Sequence, residues 1–243
     1  MKKIYLIALA LAGAMLSGCV NHRPVAVVAT PEYAARESVA TSLFPSDQAV
    51  LGDEAVARIL SSKLELPVKA KVALMKFPDG NASRYGNYYW RDEEYMKLQQ
   101  GQVDTLSQAL LASDQIVEVT PLPSLMTPKQ LSIPILREAT VRMQADLLLV
   151  FRVNSDTYSQ YRAFTKDKVK AYSTCEMVLL DVRTGLVPFT RVISRETTES
   201  KQSTDFDLSE TMRRAEQEAA TDALKVAAQD LVDFIKSVPK KGN

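Results

Sequence analysis

The sequence has one histidine, two cysteines, one tryptophan and eight glycines in 243 residues. His22 is the sole imidazole and sits close to the N-terminus. A buried Ser–His–Asp triad and a site needing several histidines are therefore excluded. The glycines form no phosphate-cradling loop, and Gly-x-Ser-x-Gly, His-Glu-x-x-His and Cys-x-x-Cys are all missing. Charge of one sign is lacking too: 30 Lys and Arg face 29 Asp and Glu, a formal net charge of +1. Such a balance argues against nucleic acid and against broad electrostatic capture by anionic lipid. Long apolar runs are also missing. The one that stands out, Ile4 to Met15, is shorter than the roughly 20 residues that cross a bilayer as a helix.

That run is informative by its position. Met1-Lys2-Lys3 precedes it and Leu16-Ser17-Gly18-Cys19 follows it, the layout of a secretory signal over residues 1–18. Leu16-Ser17-Gly18-Cys19 resembles the lipobox of bacterial lipoproteins. The resemblance implies a diacylglycerol on the Cys19 sulfur, cleavage before Cys19 and acylation of the new amine. Several acyl chains on one residue anchor a protein stably, where a single chain holds only marginally. In that family an Asp after the cysteine favours the inner membrane. Here the residue is Val20, so the expected location is the outer membrane, lipid-anchored and facing the periplasm. Losing Lys2 and Lys3 takes the formal charge from +1 to −1. With Cys19 acylated, Cys175 has no partner within the chain, and the fold is expected to use no disulfide.

Residues 19–50 read as the lipidated N-terminus and a flexible tether, with Pro24, Pro31 and Pro45 and no sustained periodicity. Val25 to Val28 is apolar enough to dock as an edge strand instead. Residues 51–243 read as one periplasmic α/β domain. Asp53 can cap a helix with Val56, Ile59, Leu60 and Leu64 on one face, stopped by Pro67. Lys69 to Phe77 alternates as a strand, Asp92 to Leu111 suits a helix, and Gln115 to Leu122 reads as a second strand. Thr127-Pro128-Lys129-Gln130 has the form of a capping box, although Pro134 makes a restart from Ser132 the alternative. Leu147 to Phe151 is a continuous apolar run, as expected of a central strand. Two strands, Lys168 to Val182 and Leu186 to Thr198, then meet at a turn over Asp181 to Gly185. Val169, Ala171, Ser173, Cys175, Met177 and Leu179 share a face, so Cys175 reads as a small core residue. A long helix runs from Leu208 to Val238, with Pro239 as its stop. Alternating elements followed by a hairpin predict a single mixed sheet with helices packed on it and a long C-terminal helix.

This element order behind a lipobox resembles the curli-secretion and penicillin-binding-protein-activator lipoproteins. The matching pieces are Lys71-Val72-Ala73-Leu74-Met75-Lys76-Phe77, Asp146-Leu147-Leu148-Leu149-Val150 and Asp181-Val182-Arg183-Thr184-Gly185. The resemblance implies a peptidoglycan synthase or a secretion assembly as partner. A membrane pore does not fit: Lys168, Lys170, Glu176, Arg191, Arg195 and Glu196 line the hairpin where lipid-facing alternation would be needed.

The surface candidate is Asn81 to Trp90. Arg84, Tyr85, Tyr88, Tyr89 and Trp90 crowd a loop between the first strand and its helix, and aromatics with a polar tip beside an arginine are residue types that anchor interfaces. The same cluster could instead fold over the sheet end as a satellite core. Tyr158, Tyr161 and Phe164 are a second group, expected to pad an edge. Asp92-Glu93-Glu94 reads as helix-start acids, and Ser61-Ser62-Lys63 as the end of a surface helix. The expected protein is thus a non-enzymatic envelope lipoprotein that binds or scaffolds another envelope component, with no catalytic residue, metal or cofactor. The alternatives are a structural subunit of an envelope complex and a carboxylate-dependent peptidoglycan hydrolase.

Overall fold

The computed structural model describes residues 42–44, 51–77, 93–127, 131–160 and 166–241. Residues 1–18, Cys19 and Arg84 to Trp90 lie outside them. The described elements are α1 (Asp53–Ser61), β1 (Ala70–Lys76), α2 (Glu93–Leu111), β2 (Ile116–Pro121), α3 (Ile133–Arg142), β3 (Leu147–Gln160), β4 (Lys168–Asp181), β5 (Phe189–Ser200) and α4 (Leu208–Ser237), with a 3-10 turn at Ser124–Met126. The strands make one mixed sheet in the order β2-β1-β3-β4-β5. β1 pairs in parallel with both β2 and β3, and β3–β4 and β4–β5 are antiparallel.

Period-two alternation divides the apolar residues between the two sheet faces. Val72, Leu74, Leu147, Leu149, Phe151, Cys175, Met177 and Leu179 form one core with Leu106 and Leu110 of α2 and the small-residue stripe of α4. That stripe includes Ala220, Ala223, Ala227 and Ala228, whose short side chains let the helix lie close to the strands. Ala73, Met75, Phe77, Leu148, Val150 and Leu180 form the other core with Leu131 and with Leu136 of α3. Each leucine fully buried in this way stabilises the fold by about 1.5–3 kcal/mol. The connection from β1 to β2 thus runs through α2 on one face, and that from β2 to β3 through α3 on the other. α4 continues past the first core, where Ala215 and Ala219 cover Val169 and Ala171 of β4. Asp207 caps it, accepting from Ser209 N (2.8 Å) and Glu210 N (3.2 Å).

The β4–β5 turn is fixed by its own side chains. Asp181 accepts from Arg183 N (3.2 Å), Thr184 N (3.3 Å) and the Thr184 hydroxyl (2.5 Å). Gly185 takes φ +80° against the Arg137 guanidinium, a conformation that favours glycine. Arg137 donates to Val182 O (3.0 Å) and Arg183 O (3.1 Å), tying α3 to the turn. Asp146 joins the turn to β1, accepting from Arg183 Nη2 (3.1 Å) and Lys71 N (3.0 Å).

The mixed sheet and long last helix are as the sequence predicts, and several details differ. Gly52, not Asp53, is the N-cap of α1, and the helix stops at Ser61 with Leu64 outside it. Its predicted apolar face is not a core face: no α1 residue is buried, and Leu60 is 81% exposed. The Thr127 hydroxyl donates to Pro123 O (3.0 Å), and Pro128 to Gln130 of the predicted capping box lie outside the described residues. α3 begins after Ser132, and the proline falls in its first turn, where its missing N–H costs nothing. β5 starts at Phe189, after Pro188, rather than at Leu186.

Candidate functional site

β3 runs well beyond the apolar Leu147 to Phe151 stretch that pairs with β1. Its continuation to Gln160 pairs with β4, and β4 pairs with β5 to Ser200. Among the described residues, this three-stranded extension has α4 on one face only. On the other face α3 meets Leu148, Val150 and Leu180 and reaches no further along the strands. Beyond them lie Arg152, Asn154, Asp156 and Tyr158 of β3, Lys170, Tyr172, Thr174 and Glu176 of β4, and Val192, Ser194 and Glu196 of β5, aligned by register on one side.

Two ion pairs cross the strands of this open face. Arg152 Nη2 meets Glu176 Oε2 at 2.8 Å, and its guanidinium carbon stands 5.8 Å from the centre of the Phe77 ring. Lys170 Nζ meets Glu196 Oε2 at 2.8 Å and lies 4.8 Å from the centre of the Tyr172 ring. The hydrogen bond between Glu196 and Lys170 raises the lysine pKa and lowers that of the glutamate. Tyr158 and Tyr172 stand edge to face with centroids 5.8 Å apart, and the Tyr158 hydroxyl reaches Asp156 Oδ2 at 3.2 Å. Thr174 and Ser194 share a hydroxyl bond of 2.9 Å. The surface is therefore aromatic and polar, with two ion pairs, Arg152–Glu176 and Lys170–Glu196, across its strands.

The same edge of the molecule carries a topological switch. From the end of β1 the chain turns outward through α2 to β2 and then returns past β1 through α3 to β3, so the strand order reverses between β1 and its other parallel neighbour, β3. In open α/β sheets the crevice beyond such a pair of strand ends is where ligands bind. The last described residue after β1 is Phe77, whose N–H donates to Phe151 O (2.7 Å), one residue before Arg152. The chain that departs there is the one carrying Asn81 to Trp90. Of the predicted site residues, Arg84, Tyr85, Tyr88, Tyr89, Trp90 and Cys19 lie outside the described residues, as do Tyr161 and Phe164. Tyr158 lies within β3 on the open face, 59% exposed, rather than in a padding loop.

Other sequence candidates resolve into structural roles. The hydroxyls of Ser61 and Ser62 both donate to Arg58 O (3.0 and 2.7 Å), bonds typical of a helix end. Cys175 is fully buried, and burial, with a smaller contribution from Glu176, pushes its thiol up to about 12. A thiol held that far from ionisation is a poor nucleophile at neutral pH.

At the far end of the extension, Arg214 grips Asp205 through two bonds (2.9 and 3.1 Å) and reaches Glu199 at 3.4 Å. The hydrogen bond from Arg214 and that from Gln202 N hold the Asp205 carboxyl well below its usual range. The Glu218 carboxyl is pushed up from its ordinary value, by desolvation first and then by a hydrogen bond with Glu199. It sits on the exposed side of α4. Among the described residues no group of three or more His, Cys, Asp or Glu is placed to hold a metal ion, and no helix is long and apolar enough to cross a membrane.

The open face gave a weak signal in sequence. Arg152, Asn154, Asp156 and Tyr158 alternate with Val153, Ser155 and Thr157, but the set is polar enough to read as a loop after an apolar strand. Arg152, Tyr172 and the ion pairs with Glu176 and Glu196 depend on register, which the sequence does not print.

No family model matches the chain, and a search of curated proteins finds no relative. Solved structures with a similar arrangement include a minor lipoprotein from Acinetobacter baumannii, 13% identical over 73% of this chain and 99% of that one, with a TM-score of 0.34. Rare lipoprotein B from Shewanella oneidensis is 9% identical over 69% of this chain and 94% of that one, with a TM-score of 0.31. A PelC dodecamer from Paraburkholderia phytofirmans is 13% identical over 74% of this chain and 96% of that one, also with a TM-score of 0.31. No residue role is carried over from any of them.

Proposed function

We propose that this chain is a bacterial outer-membrane lipoprotein, anchored through acylated Cys19, whose periplasmic α/β domain is a non-catalytic binding module for another envelope component. The contact is Arg84, Tyr85, Tyr88, Tyr89 and Trp90, together with Arg152, Tyr158 and Tyr172 of the open sheet face. The observation that carries this reading is that β1 ends at the switch point, with Phe77 N–H on Phe151 O next to Arg152, and that the sequence following Phe77 is the one that holds Asn81 to Trp90. The lipobox supplies the anchor. A peptidoglycan synthase or a secretion assembly is the partner class in keeping with the element order. The absence of catalytic sequence motifs supports a binding role over a reaction.

Cross-linking of the lipidated protein in intact cells, followed by mass spectrometry, tests the binding role. A discrete envelope partner is expected with the parent and lost with Tyr89→Ala/Trp90→Ala, while the variant stays folded. A partner retained by that variant overturns the assigned contact. Cys19→Ser tests the anchor separately: palmitate labelling and the outer-membrane fraction should both be lost. The hydrolase reading has one observation in its favour, the raised Glu218 carboxyl beside Glu199. It predicts cell-wall cleavage abolished by Glu218→Gln, whereas the binding reading predicts no cleavage by the parent.

A further inference from the structure

Among the described helices α2, α3 and α4 each put residues into a core, and α1 puts in none. Val56 and Leu60 stand four apart and share one side of α1, where they are 38% and 81% exposed. Gly52 is the N-cap, so Leu51 and Val56 hold the N′ and N4 positions, which meet at a helix start. Leu51 is 57% exposed and lengthens the apolar stripe toward the N-terminus. Glu54 and Arg58, also four apart, fall on the opposite side of the helix. A helix with an open apolar stripe and a charged back has the pattern of one that lies in a membrane interface.

The chain on either side of α1 says what the stripe meets. After the helix, Leu64 packs against the first core and Leu66 is buried in it. Leu66 N donates to Pro239 O (3.1 Å), and Lys241 N donates to Leu66 O (2.7 Å), just past the end of α4. α1 is thus joined closely to the domain at its C-terminal end. Before the helix, roughly 30 residues lead back to Cys19, and a flexible chain of that length spans about 30 Å on average. An acylated Cys19 therefore brings the bilayer within reach of α1. Three apolar side chains hold a lipid surface only weakly by themselves, but a tether makes the second contact intramolecular. Charge selects the kind of lipid. Asp53, Glu54 and Glu65 balance Arg58, Lys63 and Lys69, so the stretch has no excess cation with which to seek anionic headgroups.

We propose that α1 docks on the membrane that holds the acyl chains, with Leu51, Val56 and Leu60 entering the headgroup region of zwitterionic phospholipid. The inference rests on the lipid anchor of the proposed function and adds an orientation to it. The domain is held against the leaflet by its N-terminal helix instead of hanging free at the end of the tether.

Lipidated full-length protein in vesicles of phosphatidylethanolamine and phosphatidylcholine tests this. An environment-sensitive fluorophore is placed on Ala57→Cys, beside the stripe, or on Val141→Cys of α3 as reference; Cys175 is buried. Phosphatidylcholine with a nitroxide high on its acyl chain is expected to quench the Ala57→Cys probe several-fold more than the Val141→Cys probe. Adding Val56→Ser and Leu60→Ser, with unchanged circular dichroism, is expected to reduce that quenching several-fold. Equal quenching at the two sites, or quenching indifferent to the two serines, overturns the docking. A blue-shifted Ala57→Cys emission without nitroxide quenching marks a protein neighbour on α1 and overturns it as well. Protein that does not float with the vesicles contradicts the anchor itself, and the inference falls with it.

Discussion

The two halves of the sheet answer to different constraints. Where β1, β2 and the first residues of β3 run parallel, helices cover both faces, and Leu147, Leu148 and Leu149 are consecutive and all fully buried. Where β3, β4 and β5 run antiparallel beyond them, the described residues close only the α4 side, and the other side shows tyrosines, ion pairs and hydroxyls. Parallel crossovers put a helix on each face of the strands they join, whereas hairpins need not. The first half therefore carries the stability, and the second is free to carry contacts.

This contrast is most severely disturbed from the parallel half. Leu149→Ala opens a cavity under α4 and should cost about 2–5 kcal/mol in chemical denaturation. Asp181→Ala, which strips three hydrogen bonds from the turn holding β4 to β5, should cost about 1–3 kcal/mol in the same measurement. Asp205→Asn probes the antiparallel half through pH. The native carboxyl has a depressed pKa, so its contribution is full above the unfolded value of about 4 and is lost as pH falls through the lower folded value. The variant should be less stable at neutral pH, and thermal melts should converge with those of the parent on acidification. On the open face Arg152→Ala should cost less than about 1 kcal/mol, because the pair it breaks is partly solvated. Val192→Thr should change stability by no more than about 0.5 kcal/mol.

What could be read from sequence follows the same division. β4 was legible because Val169, Ala171, Ser173, Cys175, Met177 and Leu179 alternate against one helix, and a half-buried strand writes that period into its residues. Leu147 to Phe151 was legible as central because burial on both faces leaves an unbroken apolar run. The continuation of β3 to Gln160 was not, because residues facing water on one side and Ser155 or Thr157 on the other make no hydrophobic signal. The α1 face misled for the opposite reason: Val56 and Leu60 have helical spacing, but spacing does not say whether anything packs against them. The site divides likewise. The aromatic segment stands out by composition, whereas the alignment of Arg152, Tyr158 and Tyr172 on one face is a property of strand order and register, which no local pattern encodes.

The proposed function places partner contact at Arg84 to Trp90 and the open face, and not on the rest of the surface. A photo-cross-linking residue placed in living cells at Trp90, at Tyr172 and, on the outer side of α3, at Val141, which is 58% exposed, probes this assignment without an intermediate step. Capture of one common envelope protein from Trp90 and Tyr172, and none from Val141, is the expected result. Capture of that protein from Val141 alone, or no capture from any of the three, would contradict the assignment.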